Sequence, residues 1–379
     1  VPNICIDCVK DHHLKDLIRK EGASGECSVC GENGQVIDAE GHRFFQLTKA
    51  LVRYYFSEWD YNHHWGGDGY ESLFYGKDNR FFDESRAKSD EAYEDVVLSI
   101  TDGPVYEDYD KGISIFAGYT DGEQNMLLKA VSTDLDHHIL NISERLKNEN
   151  HFNLEGDIIE ILEEYRDTAS LVLKENMALY RARVGFKDKK RVLFKGFETE
   201  FHYIPYKGSE IGAPPPYMAT SGRVNRAGVS FLYCATEKYT AISEVRPHPG
   251  DRVSLAKILL TRDVKIFDLS STMLLSFFDT DKMLDKLKPI NTLGVLINEA
   301  IPPSERIRYS ITQLIADCIR QLGFEGIVFN STVGNGKNIV LFDQSATSQD
   351  ESSAEMVSVK SVKYKYRNES LVNDDDIYH

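Results

Sequence analysis

Six side chains between Arg181 and Asn338 have the types and settings that bind anions or stabilise cations. Arg181 lies inside an apolar, strand-like run, Leu179-Tyr180-Arg181-Ala182-Arg183. Arg223 sits in a glycine-bounded loop, Gly222-Arg223-Val224-Asn225-Arg226-Ala227-Gly228, that leads into a strand carrying Tyr233. Glu244 falls on a helix-patterned stretch beside Ala241 and Val245. Ser331 and Asn338 flank the link between two apolar strands. An arginine fork matches phosphate oxygens. A carboxylate steadies a developing oxocarbenium ion. A tyrosine ring stacks on a flat ligand, and Ser and Asn orient oxygens by neutral hydrogen bonds. Each has a quieter reading. Arg181 could pair with Glu244 to hold two strands, Arg223 could solvate its loop, and Tyr233 could be core. Ser331 could serve a turn and Asn338 cap a strand. Arg183, Arg226 and Arg246 compete for the anion.

A second constellation opens the chain. Cys5-Ile-Asp-Cys8 is followed after eighteen residues by Cys27-Ser-Val-Cys30-Gly31. Two such pairs supply the four thiolates of a tetrahedral zinc site, the alternatives being chance pairs or disulfides. Four sulfur ligands leave no open position, so the expected Zn2+ is structural. Cys234 and Cys318 stand alone in apolar settings, as buried thiols do.

Other chemistry fails on spacing. Gly334-Asn335-Gly336-Lys337 lacks the upstream glycine of a P-loop and has Asn338 where Ser or Thr is needed. No Gly-x-Gly-x-x-Gly follows a strand, and Gly-x-Ser-x-Gly is absent. The pairs His12-His13, His63-His64 and His137-His138 make poor chelates, because adjacent side chains diverge. Arg145 and His151 have a spacing seen in helical ribonucleases of the HEPN class, which chance also supplies.

The chain has 379 residues, 60 acidic against 44 basic, for a net charge of −16. That balance argues against a general nucleic-acid partner and against anionic membranes. No apolar run reaches the roughly 18 residues of a membrane span, and the start does not read as a signal peptide. Few, unevenly placed cysteines suit a reducing cytoplasm.

Apolar periodicity divides the chain. Residues 1–40 form the cysteine module. Residues 41–175 are mostly helical, with helices around Phe45–Phe56, Leu128–Ile142 and Ile158–Ala169, the last running on through Leu173. An aromatic and acidic insertion from Trp59 to Tyr109 carries Gly66-Gly67, Gly69 and the turn Asp102-Gly103-Pro104. Residues 176–345 mix strands near 179–183, 230–234, 253–258, 264–267, 326–329 and 338–342 with helices near 237–246, 281–299 and 309–322. The absence of regular alternation predicts an α+β fold. Thr236 is placed to cap the first of those helices. Residues 346–379 form a tail: 344–355 read as a linker, Val357 to Tyr366 as one late strand with a bulge, and Asp374-Asp375-Asp376 as a solvated charge run.

The ordered set Tyr180-Arg181, Gly222-Arg223, Tyr233, Glu244, Ser331 and Asn338 resembles the RES domain family over about 176–345. The cysteine-bearing front resembles the N-terminal extension of a subgroup named HEPN/RES. The resemblance implies a fold related to ADP-ribosyltransferases such as diphtheria toxin, and cleavage of the nicotinamide–ribose bond of NAD+. It implies catalytic roles for Arg223, Glu244 and Ser331, and substrate binding by Arg181, Tyr233 and Asn338. Members act as toxins that deplete NAD+, some using inorganic phosphate as co-substrate, and many are restrained by an antitoxin. Expected partners are therefore NAD+ and a protein antitoxin, inhibitor or trigger, with a homo-oligomer left open. A role in phage defence is implied too. The rival functions are a mono-ADP-ribosyltransferase acting on a macromolecule and an inactive zinc-dependent binding module.

Overall fold

A computed structural model describes residues 1–57, 60, 70–77, 79–101, 129–194, 198–299, 301, 305 and 308–363. Its first elements are β1 (Asn3–Cys5), α1 (His12–Glu21), β2 (Ala23–Glu26), β3 (Asn33–Asp38), α2 (His42–Tyr55), α3 (Asp90–Thr101), α4 (His137–Arg145) and α5 (Glu155–Glu164). Then come β4 (Ser170–Leu173), β5 (Ala178–Val184), β6 (Asp188–Phe194), β7 (Glu198–Ile204), β8 (Leu232–Ala235), α6 (Lys238–Glu244), β9 (Arg252–Leu260) and β10 (Val264–Asp268). The last are α7 (Asp281–Asp285), α8 (Leu287–Asn298), α9 (Ser310–Gln321), β11 (Gly326–Asn330), β12 (Lys337–Leu341) and β13 (Thr347–Ser358). The fold is α+β. Among the described residues no helix is long and apolar enough to cross a membrane. Trp59, the His63-His64 pair, the Gly66–Gly69 and Asp102–Pro104 turns, Leu128, Tyr364, Tyr366 and the Asp374–Asp376 run lie outside the described residues.

Contacts group the chain into two units, Val1–Ser170 with Phe267–Gly323, and Leu171–Ile266 with Phe324–His379. Thus α7, α8 and α9, which lie within the 176–345 segment, cluster with the front of the chain. In the first unit β1, β3 and β2 form a small antiparallel sheet in that order. The helix α1 begins where it does because Asp11 accepts from the backbone N–H groups of His13 and Leu14. Its Leu14, Leu17 and Ile18 recur at helical spacing and are buried. The helix expected over 128–142 starts only at His137, since Asp136 caps it through the Ile139 N–H. The helix expected to run through Leu173 stops at Glu164. Tyr165 and Asp167 turn the chain, and Ser170–Leu173 is a strand.

The second unit is built on an eight-stranded sheet of order β13-β9-β5-β8-β12-β11-β10-β4. The pairs from β13 through β11 are antiparallel. Strand alternation sorts its side chains onto two faces. Leu179, Leu232, Cys234, Ile258, Val328 and Ile339 fill one core. Ala182, Ala235, Val253 and Leu255 fill the other, beneath Ala241 of α6. Residues 347–355, expected as linker, belong with 356–358 to an edge strand along β9, with an irregularity between Asp350 and Glu355; the strand expected from Val357 on thus starts earlier and ends at Ser358. A ladder uses backbone groups, so a polar sequence with solvated side chains can occupy an edge.

Candidate functional site

The site grows from one row across the sheet. Tyr180 of β5 faces Ala235 of β8, which faces Asn338 of β12, which faces Phe329 of β11. Directly paired residues share a face, so Asn338 points to the α6 side with Ala235. It is 8% exposed, a buried amide in an apolar strand. Such a group must find a partner, and it does: its Nδ2 donates to Glu244 Oε1 at 2.7 Å. Ser331 Oγ donates to the same oxygen at 2.7 Å. Three of the sequence-selected residues therefore meet at one atom. Among the described residues Oε2 carries no hydrogen bond.

Glu244 is the last residue of α6. A carboxylate there opposes the helix dipole by a few tenths to about 1 kcal/mol. The two neutral donors offset that penalty and fix its direction.

The loop carrying Ser331 is fastened to α6. Ser331 Oγ accepts from the N–H groups of Val333 at 3.2 Å and Gly334 at 2.9 Å, so its single proton is left for Glu244. Buried Thr240 accepts from Gly336 N at 3.0 Å, and Thr236 from Lys337 N at 2.9 Å. Thr236 thus ties the loop rather than capping α6, whose N-cap is Glu237. The approach is too close for side chains. A Cβ on Gly334 would lie 2.5 Å from Thr240 Oγ1, and one on Gly336 would lie 2.8 Å from both threonine hydroxyls.

Tyr233 lies two residues before Ala235 and so shares the α6 face. Its hydroxyl donates to Asn225 Oδ1 at 2.7 Å and accepts from Val224 N at 3.3 Å. Asn225 Nδ2 reaches the carbonyls of Thr220, Arg226 and Val229 at 2.9–3.1 Å. One buried amide thus shapes the loop presenting Arg223, which is half-buried. Gly222 has no room for a side chain: its Cβ would lie 2.4 Å from Asn225 Oδ1. The sequence marks Asn225 only as a member of its loop, Thr236 only as a helix cap, and Thr240 not at all.

Arg181 is not brought to Glu244. Alternation places it on the opposite face, where Nε donates to Ile211 O at 2.5 Å and Nη1 to Tyr233 O at 2.6 Å. Burial lowers its pKa, with the charge of Arg183 adding to the effect. Arg183 on that same face donates to Glu210 O and lies 4.4 Å from the Tyr206 ring centroid. Arg246 follows α6 with φ 47°, in the left-handed region.

In the first unit the four cysteine sulfurs lie within 4.8 Å of one another. Cys5 and Cys30 are 3.8 Å apart, Cys8 and Cys27 3.9 Å. Tetrahedral zinc with bonds of about 2.3 Å needs sulfur–sulfur edges of about 3.8 Å. All six cysteines are unbridged, so the disulfide alternative falls. Gly31 adopts φ +74° in the turn after the second pair. The Cys8 thiol beside Cys27, together with nearby backbone N–H groups, pulls the Cys27 pKa down to about 4. The same contact with Cys27, with burial, pushes the Cys8 thiol up, and burial pushes Cys5 up; the donor set and the geometry fit a thiophilic ion.

His12 and His13 do not diverge as expected: their ring centroids are 3.7 Å apart, and their ligand atoms and that of Asp11 lie within 4.8 Å of one another. His13 spans Asp11 at 3.2 Å and Thr272 at 2.6 Å. Arg145 is held by both oxygens of Glu149, at 2.7 and 2.9 Å, which neutralises the cation of the ribonuclease-like spacing.

The RES domain family matches residues 190–364. No curated protein matches the chain. Among solved structures, the crystal structure of the M. tuberculosis MbcT-MbcA toxin-antitoxin complex matches at 11% identity. The match covers 54% of this chain and 92% of that one, with a TM-score of 0.29. A score that low does not establish a shared fold.

Proposed function

We propose that this chain, whose residues 190–364 form a RES domain, degrades NAD+ by cleaving the nicotinamide–ribose bond. The observation that carries the reading is the convergence of Ser331 and Asn338 on one oxygen of Glu244. Nicotinamide leaves a cationic pyridinium as a neutral molecule, so no general acid is needed. The ribose becomes an oxocarbenium ion. Glu244, fixed through Oε1, offers its carboxylate charge to the ribose hydroxyls and that cation. Arg223 holds pyrophosphate or an incoming phosphate. Tyr233 and Asn225 set the Arg223 loop, and Arg181 holds the carbonyls of Ile211 and Tyr233 beneath the site. The acceptor is phosphate, giving ADP-ribose-1″-phosphate, or water, giving ADP-ribose and a proton.

The reading extends to the first unit. Cys5, Cys8, Cys27 and Cys30 would hold a structural Zn2+, which cross-links β1, the turn after it and the Cys27–Gly31 turn. A protein antitoxin, inhibitor or trigger would act on this toxin in a reducing compartment, in a toxin–antitoxin pair or in defence against phage.

Mass spectrometry of NAD+ turnover with and without phosphate tests the chemistry. Nicotinamide with ADP-ribose phosphate, formed only with phosphate, makes the chain a phosphorylase. Nicotinamide with ADP-ribose in both buffers makes it a hydrolase. ADP-ribose attached to a macromolecule would replace both with transferase chemistry. Intact NAD+ in every buffer, from folded protein freed of copurified partners, refutes the reading.

A further inference from the structure

The hairpin β6–β7 pairs only with itself and is separate from the eight-stranded sheet. A two-stranded ribbon is marginal alone, so what its faces carry matters. Its register sets Lys189 against Tyr203, Lys190 against His202, Arg191 against Phe201 and Val192 against Glu200. Period two then sorts the described side chains. One face takes Lys189, Arg191, Phe201 and Tyr203. Asp188 and Glu200 fall on the other, where Glu200 pairs with His202 at 3.9 Å. The first face is therefore cationic and aromatic, without an acid among the described residues of the hairpin.

Arg252 of β9 adds a third cation. Its guanidinium lies 4.7 Å from the Tyr203 ring centroid and is steadied by Ser358 Oγ at 2.9 Å. Lys189 Nζ lies 5.1 Å from the Phe201 centroid. Phe201 remains 50% exposed. Lys187, adjacent in sequence, is paired with Glu210 at 3.1 Å and is not part of the set.

Three cations interleaved with an exposed ring, on a chain of net charge −16, concentrate positive potential where the rest of the molecule repels anions. Exposed rings beside cations stack bases while neutralising phosphates. A duplex would present phosphates but no open base to Phe201. An acidic peptide would satisfy the cations and leave the ring unused. We propose that the Lys189–Arg191–Phe201–Tyr203 face of this hairpin, with Arg252, docks single-stranded nucleic acid. A net charge sums over the whole chain and leaves room for a local cationic face of this kind.

The test is fluorescence anisotropy of labelled 12-mer oligo-U and oligo-dT with the full chain, between 50 and 200 mM KCl. Three neutralised phosphates give a slope of log affinity against log salt of about −2, or about a 20-fold loss over that range. Lys189→Ala with Arg191→Ala leaves one cation, so the slope should flatten to about −0.7 and the loss to about threefold. Phe201→Ala should weaken binding about tenfold and leave the slope unchanged. Thermal unfolding midpoints matching the parent show that the variants are folded, independently of any NAD+ chemistry. No binding at 50 mM KCl overturns the proposal. Binding unmoved by these variants overturns it too, because the strand then binds elsewhere. Equal affinity for a duplex of the same length, or equal competition by poly-glutamate, reduces the face to a general anion or acidic-protein surface and also overturns it.

Discussion

Glu244→Gln separates charge from shape. The amide keeps an Oε1 that can accept from Ser331 and Asn338, both now at 2.7 Å. The loop and the strand should therefore stay in place. What disappears is the negative charge that the proposed chemistry sets against the ribose. Unit charges about 4 Å apart at an effective dielectric of ~20 attract by about 4 kcal/mol, or ~10³ in rate. The two donors on Oε1 disperse part of that charge, so the expected fall in kcat is ~10²–10³. KM should move little, because the ribose cation exists only in the transition state. Stability should hold or rise by a few tenths of a kcal/mol, since a charge opposing the α6 dipole is removed. Mass-spectrometric NAD+ turnover and a thermal melt read both sides. A variant within tenfold of wild-type turnover would refute the role of Glu244. A loss that tracks unfolding would refute the claim that the acid serves chemistry rather than architecture.

Asn225→Ala removes the donor to three carbonyls and the acceptor for Tyr233. It should cost about 2–3 kcal/mol in urea unfolding and raise KM for NAD+ more than it lowers kcat, because the Arg223 loop loses its shape. Gly334→Ala places a Cβ 2.5 Å from Thr240 Oγ1; the loop must lift from α6, and NAD+ turnover should drop at least tenfold with folding preserved in circular dichroism. Purified protein should carry one zinc per chain by elemental analysis. Cys8→Ser, or a strong chelator, should lower the first thermal transition, since structural zinc contributes folding energy directly.

The candidate residues stand out in sequence because they are polar groups set where packing favours apolar ones. Asn338 heads an apolar strand, Arg181 lies inside another, and Glu244 stands beside Ala241 and Val245 on a helix-patterned stretch. Local choices that work against stability mark sites better than any single motif does. What the sequence withheld is of another kind. The two faces of β5 differ only by one step of alternation, so nothing in Tyr180-Arg181-Ala182 says that Arg181 turns away from Glu244. Asn225 looks like any loop asparagine until Tyr233 and three carbonyls close around it. Residues 347–355 read as a linker because their side chains are polar, yet edge pairing with β9 asks only for backbone. The hairpin's sorting of Lys189 and Arg191 from Asp188 and Glu200 is invisible without register, which decides the face of every residue at once. In each case the missing information is a pairing between distant segments. Candidate residues can be picked out by their types, but which face of the sheet each serves, and so which of them can meet one another, is fixed only when the strands are aligned.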